Sequence, residues 1–289
     1  MEQTDKPIIV GVDGSPSSLE AAAWAGEEAV LRGARVHIMH AALEWMYYVP
    51  LTPQPQPWGP AKAEVVQELL QKAANRARVG HPDVRVTTEV VNSGPWDALV
   101  AAAENAQLIV VGSRGLGGFT GLLLGSVSRH VLTRASCPAV VVRESRPYPT
   151  GEIVAGVTGR SDQVPVLDFA FREAEVRGAS LRLLHAWIPP VVPTLGGAPP
   201  LVNDLDAIGR SEEILLAEAV AGWRDKFPDV RVIEEVVREH PAKALIDASA
   251  EHDLTVIGAH CGLRTVLGMG SIAHALVHHA HGPVAVVRH

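Results

Sequence analysis

The chain has 289 residues, of which 47% are hydrophobic and 20% are charged, and its formal net charge is −7. This length suffices for two domains with separate cores, and the composition excludes an intrinsically disordered chain. A negatively charged chain without runs of lysine or arginine is a poor surface for nucleic acid, so we expect no nucleic-acid partner.

The first residues, Met1–Lys6, carry two acidic side chains and precede an apolar run of only a few residues. This pattern fits neither a signal peptide nor a membrane-spanning helix, so we expect a cytoplasmic protein with no membrane partner. The two cysteines, Cys137 and Cys261, have neither a metal-ligand spacing nor the spacing of a disulfide framework. Reduced thiols are therefore predicted.

Short runs of valine, isoleucine and leucine alternate along the first half of the chain with longer segments of helical period. This alternation is typical of β-α-β units and a parallel sheet, and the continuous apolar runs predict strands that helices cover on both faces. The predicted strands are residues 8–12, 35–41, 84–91, 107–111 and 138–142. The predicted helices are residues 16–32, 61–79, 95–105 and 125–135.

The second half of the chain repeats the first at a shift of about 145 residues. The aligned segments include Val10-Gly-Val with Ala155-Gly-Val, Arg32-Gly-Ala with Arg177-Gly-Ala, and Pro82-Asp-Val-Arg-Val with Pro228-Asp-Val-Arg-Val. We therefore predict an α/β protein of two tandem, doubly wound, Rossmann-like domains, each with a five-stranded parallel sheet, over residues 1–147 and 148–289. A proline-containing linker is expected at residues 144–151, and proline-rich loops at residues 50–60 and 189–203.

The first helix of the second half is predicted from its apolar face. The residues assigned to that face are Val164, Leu167, Phe171 and Ala174. We expect all four to face the core.

A glycine-rich segment, residues 112–126, lies between the fourth predicted strand and the helix that follows it. Gly112, Gly115 and Gly125 are expected to let the backbone bend tightly and approach a ligand. The first N–H groups of the helix have no partner within it and favour an anion such as phosphate. Ligands of open parallel sheets bind at the carboxyl ends of the strands, so we expect a pocket between this segment and the turn at Asp13.

Together these features resemble the universal stress protein family in its tandem two-domain form. The pattern Gly-x2-Gly-x9-Gly-Ser is complete in residues 112–126, and residues 8–15 and 136–142 match the first strand and the last strand of that family. The resemblance implies an ATP-binding protein that acts in the stress response by binding, without a defined catalytic reaction. Whether Mg²⁺ accompanies the ATP stays open.

The resemblance also assigns roles to residues of the first half. Four would line the adenine and ribose end of the pocket: Asp13, Ala41, Val111 and Gly112. Four would contact the phosphates, mostly through backbone N–H groups: Gly115, Gly125, Ser126 and Val127. Arg114 and Arg129 could neutralise phosphate charge, but exposed arginines are usually solvated, so neither is assigned to the site.

The second half matches this pattern less well. Thr158 replaces Asp13, Cys261 replaces Gly115, and the loop is one residue shorter. We therefore predict that the first half binds ATP and that the second half binds it weakly or not at all. A loop thiol beside a helix also leaves a redox role for Cys261 as a hypothesis.

Several chemically active side chains are interpreted as structural. His40 and His185 close apolar strands at equivalent places, and we expect them to be hydrogen-bonded at the edge of the core. His274 and His278 lie one helical turn apart, but no acidic or cysteine ligand accompanies them at a suitable spacing, so no metal site is expected. Cys137 is expected to be buried and unreactive.

Two alternatives to a nucleotide-binding regulator stay open. One is an enzyme that slowly hydrolyses ATP, although the chain has no Gly-x4-Gly-Lys-Ser/Thr or Gly-x-Ser-x-Gly motif. The other is a scaffold that binds no ligand and acts through edge strands at residues 139–142 and 284–287. Because the resemblance implies that such strands pair domains, we expect a homodimer or an intrachain pseudo-dimer, recognised by a protein partner that the sequence does not identify.

Overall fold

The computed structural model describes residues 6–42, 60–116, 124–143, 149–159, 163–189, 205–259 and 269–288. The chain divides into two compact units, Met1–Ser145 and Arg146–His289. The predicted boundary between residues 147 and 148, most of both proline-rich loops, and Cys261 lie outside the described residues. Within the described part of the chain, no helix is both long enough and apolar enough to cross a membrane.

The described part of the first unit forms five strands and four helices. Their bounds are β1 Ile8–Gly11, α1 Pro16–Arg32, β2 Val36–Ala41, α2 Pro60–Ala77, β3 Val86–Val91, α3 Pro95–Ala103, β4 Leu108–Gly112, α4 Ser126–Arg134 and β5 Ala139–Val142. The strands pair in parallel in the order β3-β2-β1-β4-β5. The strand order therefore reverses between β1 and β4, and the doubly wound α/β fold that the sequence predicts is confirmed.

Burial explains why the central strands read as continuous apolar runs. Every residue of β4 and β5 is buried, whereas the outermost strand, β3, is largely exposed. Two signals set the ends of α1, because Ser15 accepts a hydrogen bond from the Ser18 N–H and Gly33 ends the helix with φ 60°. A side chain at Gly26 would overlap the backbone carbonyl at the end of α2, so α1 and α2 meet almost backbone to backbone.

The second unit repeats this arrangement. Its elements are β6 Glu152–Gly156, α5 Val164–Arg177, β7 Ser180–Ala186, α6 Leu205–Lys226, β8 Val232–Val237, α7 Pro241–Ser249, β9 Leu254–Ala259, α8 Ser271–His279 and β10 Val284–Arg288. Its parallel strands follow the order β8-β7-β6-β9-β10, which is the order of the first unit with each strand replaced by its repeat.

The apolar face predicted for α5 is correct at three of its four positions. Leu167, Phe171 and Ala174 are buried, and the Phe171 ring lies 5.6 Å from the ring of Trp223 in α6. The prediction is wrong for Val164, which is 55% exposed. It is the first residue of the helix, and the buried residues of α5 begin at Val166.

The two strand-ending histidines are hydrogen-bonded in equivalent ways, as the sequence predicts. Nδ1 of His40 donates to the carbonyl oxygen of Val12 at 2.8 Å, and Nδ1 of His185 donates to that of Val157 at 2.9 Å. Each imidazole ring thereby joins the end of its own strand to the residue that follows the neighbouring strand.

Cys137 is the one cysteine among the described residues, and it is half-buried where the sequence predicts a buried side chain. Burial raises the pKa of its thiol to about 12, so little thiolate forms at neutral pH.

Candidate functional site

A cavity of about 460 Å³ opens at the carboxyl edge of the first unit's sheet, where the strand order reverses between β1 and β4. This is the position at which ligands bind in open α/β sheets. All eight residues assigned from the sequence line it: Asp13, Ala41, Val111, Gly112, Gly115, Gly125, Ser126 and Val127. The structure therefore brings the assigned residues together, while their contacts with a nucleotide stay a prediction.

One end of the cavity is apolar. Its walls include residues that were not assigned from the sequence, namely Met39, Val91, Pro95, Ala98 and Leu99. These residues come from β2, β3 and α3, and the Leu99 side chain lies directly over the backbone of Gly11. In the sequence, Gly94-Pro95 indicates the start of α3. Only the folded structure shows that α3 borders the cavity.

The other end of the cavity is formed by the start of α4. The Gly125 N–H donates to the carbonyl oxygen of Ser113 at 2.8 Å, and the Ser128 hydroxyl donates to that of Gly112 at 2.6 Å. These bonds fix the first turn of α4 against the end of β4. No described side chain caps this helix, and its first turn contains no acidic residue. Its leading N–H groups are thus available to an anion.

None of the three motif glycines has a backbone conformation that requires glycine, which corrects the expectation from the sequence, and two of them, Gly112 and Gly115, are needed for space. None of them is among the glycines with positive φ, whereas Gly14 in the preceding turn has φ 90°. A Cβ at Gly112 would lie 2.6 Å from the backbone of Ser17 in α1, and a Cβ at Gly115 would overlap the Asp13 carboxylate. At Gly125 the nearest atom of the described residues would lie 3.6 Å from a Cβ, an ordinary contact distance, so none of these residues excludes a side chain there.

The chain matches the family model of the universal stress proteins twice, over residues 5–143 and 150–288. The universal stress protein Rv2005c of Mycobacterium tuberculosis is 34% identical to it, over 97% of this chain and 96% of that protein. The chain belongs to the universal stress protein family. The crystal structure of a universal stress protein from Archaeoglobus fulgidus DSM 4304 shares its fold, with a TM-score of 0.67 and 19% identity over 99% of this chain and 97% of that one. A universal stress protein solved in complex with cAMP is 31% identical over 48% of this chain and 97% of its own, with a TM-score of 0.38.

In this universal stress protein, Asp13 holds the start of the glycine-rich loop. Its carboxylate accepts hydrogen bonds from the N–H groups of Ser15 at 3.0 Å and Leu116 at 2.9 Å. Burial raises the pKa of this carboxyl, but the hydrogen bonds outweigh burial and leave the pKa below its ordinary value of 3.8. Asp13 therefore links β1 to a loop 103 residues further along the chain.

We expect the Asp13→Asn variant to be less stable than the wild type at pH 7, by about 1 kcal/mol, since solvent screens this partly exposed carboxylate. Because folding lowers the pKa of Asp13, its contribution is present above the unfolded pKa and is lost as the pH falls through the folded pKa. The difference in free energy of unfolding should therefore shrink below about pH 4. Urea unfolding of the wild type and Asp13→Asn at several pH values measures this difference. A difference that does not change with pH would contradict a stabilising role for the ionised carboxylate.

The equivalent edge of the second unit differs in three described features. Thr158, which replaces Asp13, donates its N–H to the Gln163 side chain at 2.6 Å. Ile257 replaces Val111, and its side chain lies over the backbone of Gly156 beside Leu245, the counterpart of Leu99 over Gly11. Gly270, the counterpart of Gly125, has φ 68° where Gly125 has φ −71°. The loop with Cys261 is outside the described residues, so the prediction made for it stays a prediction.

An aromatic contact joins the two helices beside the first unit's cavity. The rings of Trp96 in α3 and His130 in α4 are stacked, with centroids 4.8 Å apart. Nδ1 of His130 also donates to the carbonyl oxygen of Ser126 at 2.8 Å, which ties the ring to the start of α4. The aligned residues of the second half are Ala242 and Ala275, which cannot form such a stack.

Proposed function

We propose that this universal stress protein is an ATP-binding regulator of the stress response, that the first unit holds the nucleotide, and that binding itself is the function. The observation that supports this proposal is the pairing, in one cavity, of an apolar slot with an uncapped helix N-terminus. The slot suits the flat, apolar faces of adenine, and the helix start suits phosphate. A volume of about 460 Å³ lies in the usual range for ligand sites of this size.

The charged residues that line the cavity favour ATP binding without hydrolysis. Among the described residues that line it, Asp13 is the only carboxylate, and there is no histidine or lysine. Both oxygens of Asp13 accept hydrogen bonds from the backbone, so this group is poorly placed to orient an attacking water molecule. ATP bound at the start of α4 would contact the glycine-rich loop, and a protein partner or a second copy of the chain would recognise the nucleotide-bound surface.

Calorimetric titration of nucleotide-stripped protein with ATP, with and without Mg²⁺, tests this proposal. We expect one site per chain, because the second unit has the larger Ile257 where the first has Val111, and a different backbone conformation at Gly270. Two equivalent sites would contradict the asymmetry between the halves. The absence of any site would contradict nucleotide binding and favour a scaffold.

A further inference from the structure

The cavity of the first unit holds a single pair of opposite charges. Among the described residues that line it, Arg114 is the only positively charged one and Asp13 the only negatively charged one. Hydrogen bonds keep the pKa of Asp13 low, so its carboxylate is ionised at neutral pH and offsets the charge of Arg114. A nucleoside triphosphate adds several negative charges, and helix N–H groups provide only partial positive charge to meet them.

The backbone of Arg114 is held in place by the first turn of α1. Its carbonyl oxygen accepts hydrogen bonds from the hydroxyls of Ser15, at 3.0 Å, and Ser17. Its N–H donates to the Ser17 hydroxyl at 3.2 Å. The Cα of Arg114 is therefore fixed relative to the sheet, although its side chain is exposed.

Both neighbours of Arg114 lie against the start of α4. The carbonyl oxygen of Ser113 accepts the Gly125 N–H at 2.8 Å. The backbone nitrogen of Gly115 lies 3.7 Å from the position that a Cβ of Gly125 would occupy. Since consecutive Cα atoms are only about 3.8 Å apart, Arg114 stands beside the helix end that is free to receive an anion.

We propose that Arg114 makes this site selective for nucleotides with more phosphates, a role that rests on the nucleotide function proposed above. Backbone N–H groups can hold the first phosphate of any nucleotide. The guanidinium group adds a full charge and paired donors that suit phosphate oxygens, so its contribution grows with the number of phosphates within its reach. His260 is aligned with Arg114 in the second half, where the chain also lacks the counterpart of Asp13.

The experiment measures the dissociation constants of ATP, ADP and AMP with the nucleotide-stripped full chain. For the wild type we expect affinity to fall from ATP to ADP to AMP. Arg114→Gln should weaken ATP binding roughly tenfold to a hundredfold, the effect of losing charge-assisted hydrogen bonds, and AMP binding by less than about threefold. Arg114→Lys keeps the charge but not the planar guanidinium group, so its dissociation constant for ATP should lie between those of the wild type and Arg114→Gln.

Arg134→Gln is the matched control, because this exposed arginine ends α4 and its loss changes the net charge equally. It should leave all three dissociation constants within about twofold, in keeping with an exposed charge outside the cavity. The proposal is overturned if Arg114→Gln weakens ATP and AMP equally or leaves ATP binding unchanged. If the wild type binds none of the three, the nucleotide function itself fails, which the variants alone would not reveal. Thermal unfolding of each variant verifies that it is folded.

Discussion

Replacement of Gly125 by aspartate is expected to weaken ATP binding by more than about a hundredfold while leaving the protein fully folded. We expect the fold to tolerate a side chain here, because no atom of the described residues would lie closer than 3.6 Å to a Cβ and the backbone angles of φ −71° and ψ 156° suit any residue. Aspartate is also a favoured N-cap, so it would satisfy the N–H groups of α4 from within the protein. Its negative charge would then repel the phosphates from the place proposed for them.

Calorimetry with ATP and thermal unfolding, carried out on the same preparation, measure both parts of this result. Gly125→Asn is the matched control, because asparagine is similar in size and also caps helices, but carries no charge. It should weaken binding less than aspartate does, and the difference between the two variants isolates the charge. If Gly125→Asp binds ATP as tightly as the wild type does, the phosphates of ATP are not held at the start of α4.

Replacement of Gly112 by alanine is expected to lower the free energy of unfolding of the first unit by about 1 to 3 kcal/mol or more. The added Cβ would lie 2.6 Å from the carbonyl carbon of Ser17 and 2.7 Å from the backbone nitrogen of Ser18. These are backbone atoms of the first turn of α1, which hydrogen bonds to Arg114 hold against the loop. Because this turn cannot move without breaking those bonds, overpacking is costly.

Urea unfolding compares Gly112→Ala with Gly125→Ala, the same change at another glycine of the same motif. The second variant should stay within about 0.5 kcal/mol of the wild type, because its Cβ would make only ordinary contacts, of 3.6 Å or more, with the described residues. The pair therefore separates a glycine required by packing from one that packing does not require. Equal stabilities of the two variants would mean that α1 adjusts more easily than its hydrogen bonds indicate.

The order and kind of the described elements follow from the sequence, because local signals specify them. The predicted helix at residues 16–32 coincides with α1, since Ser15 caps its start and Gly33 adopts the left-handed conformation that ends it. The helix predicted at residues 125–135 is found at Ser126–Arg134. Continuous apolar runs identified the buried strands, and the repeat predicted a second doubly wound domain of the same kind, which the strand order confirms.

The sequence also placed the cavity, because the carboxyl ends of β1 and β4 meet at the reversal of strand order. Contacts between distant segments were decided only by the tertiary structure. They include the bond from Leu116 to Asp13, the position of Leu99 over Gly11, and the packing of Gly112 on Ser17. Local patterns specify which face of an element is apolar, but packing between elements decides which residues meet. For this reason the sequence identified the motif glycines, and the fold showed that Gly112 and Gly115 are required by packing, whereas a Cβ at Gly125 would make only ordinary contacts with the described residues.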